Sequence, residues 1–91
     1  MQEERVTFVI KAENRADLLA RIVLLFHRLN VEIHGLSMER KRVSNAMSMN
    51  VKVEVEREHA RRLEAQLYKV VEVREVESLR AGAELGEEAL D

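Results

Sequence analysis

Between Met47 and Val55 every odd position is apolar (Met47, Met49, Val51, Val53, Val55), and Ser48, Asn50, Lys52 and Glu54 lie between them. Successive side chains of a strand point to opposite faces, so this period of two makes one dry face and one wet face. A half-apolar sheet needs a second layer over its dry side. Two segments of helical period supply it. Leu18, Leu19, Ile22, Val23, Phe26 and Leu29 recur at spacings of three and four, which draws one apolar stripe on a helix over 15–29. Ala60, Leu63, Leu67 and Val70 do the same over 57–69, with Arg57, Arg61, Arg62 and Glu64 on the outer side.

The remaining strands follow from the same test. Val6, Phe8, Ile10 and Ala12 alternate over 5–12 and are rich in strand-forming types. Asn14 is a favoured N-cap for the first helix, and Asp17 three positions on resembles a capping box. Asp17 also brings negative charge to the positive end of that helix, while His27 and Arg28 suit its last turn. Asn30 turns the chain into an extended segment over 31–40. Val31 and Ile33 share one parity there, Leu36 and Met38 the other, so Gly35 marks a bulge or bend. Residues 41–45 read as a short hairpin turn. A last strand spans 71–79, with an irregularity between Val73 and Val76, whose parities differ.

The order is β-α-β-β-α-β. Two split βαβ units of this length, with the usual connection chirality, give a ferredoxin-like α+β sandwich. Its four-stranded antiparallel sheet carries both helices on one face.

Ninety-one residues allow a single domain with a modest core, which favours pairing with another subunit. Fifteen Lys and Arg against 17 Asp and Glu remove the basic excess expected of a nucleic-acid binder. No cysteine is present, so thiol chemistry and thiolate metal sites are excluded. His27, His34 and His59 form no metal-ligand pattern; His34 beside Glu32 is a pair on one strand and not a metal site. No serine has a partnered base and no glycine-rich phosphate loop exists, so neither a catalytic set nor a cofactor site is expected. The open sheet face (Thr7, Val9, Lys11, Ser48, Asn50, Lys52) lacks the aromatic rings on which RNA bases stack. Phe8, Phe26 and Tyr68 fall on or beside the inward stripes, and Arg40, Lys41 and Arg42 read as a solvated hairpin turn. No apolar run approaches the ~20 residues of a membrane helix. Gln2, Glu3 and Glu4 do not read as a secretory leader, and a cytoplasmic setting is expected.

Within 8–36, an apolar strand, Asn14, a helix ending Leu25-Phe26-x-Arg28, and then Ile33, Gly35 and Leu36 occur in the order and spacing of an ACT domain. The chain resembles the small regulatory subunit of acetolactate synthase in particular. Leu63, Leu67, Lys69 and Val70 leading into a valine-rich strand extend the likeness to residue 79. The resemblance implies an ACT-like domain over 1–79 followed by an acidic tail over 80–91. It implies a homodimer or higher oligomer pairing sheets edge to edge, with a branched-chain amino acid such as valine bound at the interface. It further implies regulation of a separate catalytic acetolactate synthase subunit, which holds the thiamine diphosphate, FAD and magnesium.

The effector-binding positions carried over by this resemblance are Asn14, Asp17, Leu18, Glu32 and Ile33. The family's Asn-x-Pro-Gly turn is Asn14-Arg15-Ala16-Asp17 here, and Glu32 stands at a second family asparagine. Asp17 thus places a carboxylate where an effector carboxylate docks. Like charges ~4 Å apart cost about 4 kcal/mol at an effective dielectric near 20, roughly a thousandfold in affinity. An interaction module of the same fold, binding no metabolite, is the alternative reading.

Overall fold

The structure, a computed structural model, describes residues 3–80. Its elements are β1 (Glu4–Glu13), α1 (Leu18–Arg28), β2 (Ile33–Lys41), β3 (Ala46–Val55), α2 (Arg57–Tyr68) and β4 (Val73–Arg80). The four strands form one antiparallel sheet in the order β2-β3-β1-β4. This is the ferredoxin-like βαββαβ arrangement expected from the alternation of periods. Arg80 is the last residue of β4, and the rest of the expected acidic tail lies outside the described residues.

The core follows the apolar parity. Val6, Phe8, Ile10 and Ala12 of β1 and the five odd residues of β3 are all buried. Leu18, Ile22, Leu25 and Phe26 come down onto them from α1, and Ala60, Leu63 and Leu67 from α2. Phe8 and Phe26 meet edge to face, with ring centroids 5.9 Å apart and planes at 69°, the arrangement their quadrupoles favour.

Both parity breaks are real irregularities. The β2–β3 register slips between Ile33 and Gly35, leaving His34 as the extra residue. Ile33 thereby faces Val53 while Leu36 and Met38 face Val51 and Met49, all on the helix side. A Cβ on Gly35 would lie 3.3 Å from the Lys52 side chain, so the bulge uses the room that glycine leaves. The β1–β4 register slips between Lys11 and Ala12, which keeps Val73 and Val76 on the same face despite their opposite parity.

Helix α1 ends in a Schellman motif. Asn30 is left-handed at φ 61°; its N–H reaches His27 O at 3.0 Å and the Val31 N–H reaches Phe26 O at 3.0 Å. The start differs from the sequence reading. The helix begins at Leu18, and Asp17 is its N-cap by position, with no side-chain capping bond. Residues 15–18 form a turn closed by the Leu18 N–H on Arg15 O at 3.3 Å. Asn14 lies four residues before the helix and is not its cap; its side-chain oxygen accepts from a residue of β2.

Candidate functional site

That residue is Arg40. It faces Met47 across β3, and Met47 faces Ala12 of β1, so Arg40 stands on the helix side level with the end of β1. From there Arg40 Nη1 donates to Asn14 Oδ1 at 2.6 Å and approaches Arg15 O at 3.4 Å. The Asn14 backbone N–H is fixed as well, donating to Asn45 O at 3.1 Å in the β2–β3 turn. The corner between β1 and α1 is therefore tied to the outermost hairpin.

On its other side the corner holds four charges. Arg21 grips Glu72 with both terminal nitrogens, at 3.2 and 3.0 Å, and reaches Asp17 at 3.1 Å. Arg15 adds longer ion pairs, 3.6 Å to Glu72 and 3.9 Å to Asp17. The Glu72 side chain is only 10% exposed whereas Asp17 is 56% exposed, so Glu72 is the anchor and Asp17 the outer member. Hydrogen bonds from Arg21 hold both carboxyls below their usual range, and Glu72 raises Arg21 in return. Two guanidinium groups and two carboxylates sum to zero. Asp17 thus presents a neutralised charge, and Arg40 is the guanidinium left facing the corner from the β2 side.

Three of the expected effector positions meet here: Asn14 with its side chain on Arg40, Asp17 exposed and ion-paired, and Leu18. The Leu18 side chain is fully buried in the core and its N–H is bonded to Arg15. The other two lie elsewhere. Ile33 faces Val53, which faces Val6, eight residues back along β1 from Asn14. At ~3.3 Å per residue that is about 25 Å away, at the opposite end of the sheet. Glu32 is exposed there beside His34, 3.7 Å from it. No single copy unites all five positions.

Arg40, Arg21 and Glu72 escaped the sequence reading. Asp17 and Arg21 at i, i+4 were a legible pair. The sequence places Arg40 in a solvated turn, and nothing local ties it to Asn14, 26 positions away. Tyr68 is also not part of the inward packing: it is half-exposed, with its hydroxyl on the β4 backbone. Among the described residues no cluster of His, Asp and Glu is arranged to hold a metal ion, and no helix is long and apolar enough to cross a membrane.

Solved structures share this fold. The ACT domain of a GTP pyrophosphokinase from Chlorobium tepidum is 19% identical, over 85% of this chain and 99% of that one, with TM-score 0.74. An uncharacterised protein from Thermotoga maritima is 16% identical, over 87% and 98% of the two chains, with TM-score 0.72. The acetolactate synthase small subunit from Thermotoga maritima is 20% identical, over 86% of this chain and 47% of that one, with TM-score 0.71. At these identities the likeness is one of fold, and the synthase subunit is one such structure among several. No curated protein sequence matches the chain. The model of the ACT domain matches residues 2–77, and with this architecture the chain belongs to the ACT domain family.

Proposed function

We propose that this chain is a non-catalytic regulatory subunit that pairs through β2 and takes an amino-acid effector between two copies. One observation carries the reading: β2 is an edge strand with Leu36 and Met38 substantially exposed on its helix side, at 44% and 37%. Soluble domains cover such edges or pair them. In a two-fold antiparallel pairing centred on Ser37, Leu36 of one copy lies against Met38 of the other. The same symmetry sets Arg40 of one copy opposite His34 of the other, one residue from Ile33 and two from Glu32, and so joins the two groups that a single copy separates. In this site Arg40 receives the effector carboxylate, Glu32 the ammonium, and Ile33 an aliphatic side chain. A branched-chain amino acid such as valine fits that chemistry.

The regulated partner in this reading is a separate catalytic subunit of the acetolactate synthase type, in the cytoplasm, with 1–79 as the functional unit. Support comes from the motifs of 8–36 and from the likeness to the Thermotoga maritima small subunit. Pure assembly without a metabolite is favoured by a different observation, the charge balance that Arg15, Arg21, Asp17 and Glu72 already achieve among themselves.

Calorimetry separates the two. Valine, leucine or isoleucine is expected to give a saturable heat that Arg40→Ala abolishes. A flat titration at millimolar ligand overturns the effector reading and leaves assembly.

A further inference from the structure

The sheet has a second edge, β4, and it is finished by a side chain. Tyr68, the last residue of α2, brings its hydroxyl to the outer side of β4. Its hydroxyl donates to Val76 O at 3.1 Å and accepts from the Val76 N–H, also at 3.1 Å. Val76 lies opposite Ile10 of β1. In an antiparallel ladder a residue's N–H and C=O point the same way, toward one neighbouring strand or the other. Because both groups of Val76 go to Tyr68, they point off the sheet. They are the groups that an added strand needs.

An added strand would lie ~4.8 Å beyond β4, in the strip where the Tyr68 hydroxyl sits. Strand β2 has no such cover: among the described residues no side-chain hydrogen bond reaches its backbone. If both edges were open, a pair joined through β2 would still offer two β4 edges and copies would add without closure into a ribbon. We infer that Tyr68 is an edge stopper that limits assembly of this chain to a closed pair of copies. The inference rests on the reading of β2 as the pairing edge.

Sedimentation velocity of the full chain, Tyr68→Phe and Tyr68→Ala over a concentration series tests it. The Phe variant removes only the hydroxyl and keeps the half-exposed ring; the Ala variant clears the strip. The expected result is a wild-type dimer, with a weight-average mass at least about twofold higher for Tyr68→Ala at the top concentration and an intermediate rise for Tyr68→Phe. Variants that remain dimers like the wild type overturn the stopper and leave β2 pairing intact. A monomeric wild type whose variants associate supports the stopper and overturns β2 pairing. Monomers throughout overturn both.

Discussion

Strand β4 meets solvent with its Val76 amide and carbonyl bonded to Tyr68, and its entry is fixed by Glu72 in the grip of two arginines. Among the described residues no side chain covers the backbone of strand β2, and two apolar side chains are in view; Arg40 ties the strand to the corner through Asn14 Oδ1 and Arg15 O. Both are edges of the same sheet with the same apolar parity behind them. Fold alone therefore does not decide where a sheet continues. Side chains placed beyond the strand do, by supplying or withholding the partners that the outer backbone lacks.

The strongest way to break this asymmetry is to spoil the open margin. Met38→Glu sets a carboxylate against Leu36 of the facing copy, and burying an unpaired charge is costly. The dimer dissociation constant is expected to rise about a hundredfold or more, equivalent to ~2.7 kcal/mol, read by analytical ultracentrifugation. An unchanged constant places the interface elsewhere.

Next comes the closed margin. Its acids, Asp17 and Glu72, ionise more readily in the folded chain than in the unfolded one. Their stabilisation is therefore complete above the ordinary carboxylate range and is lost as pH falls through their lowered values. Glu72→Gln is expected to lower Tm at neutral pH, with the gap from wild type closing below about pH 4. A gap that stays constant on acidification removes the ionic account. The smallest effect belongs to Asn14→Ala, which cuts the Arg40 tie in an exposed place. About 0.5 kcal/mol of stability is expected to go, measured by urea unfolding. A loss several times larger makes that tie a structural support.

The two margins were also unequally legible. Because a strand's period is two, a single extra residue shows at once as a change of parity, and the slips beside Gly35 and between Val73 and Val76 are legible in the sequence. The Schellman turn at Asn30 was equally local. What stayed hidden was long-range. Asn14 looks like a helix cap with Asp17 as its capping-box partner, yet its side-chain oxygen accepts from Arg40, which topology brings in from a distant strand. Tyr68 lies beside the apolar stripe of α2, yet its hydroxyl is claimed by a strand that starts five residues later. Glu72 sits between two elements, where no periodicity speaks for it.

Arg40 serves two masters. In the proposed pair it belongs to the strand that meets the neighbouring copy, and it grips the bend where a small molecule would be held. Grasping one end therefore restrains the other, and thermodynamic reciprocity makes the traffic two-way. Dilution should loosen the metabolite, and the metabolite should slow subunit exchange, through a single guanidinium.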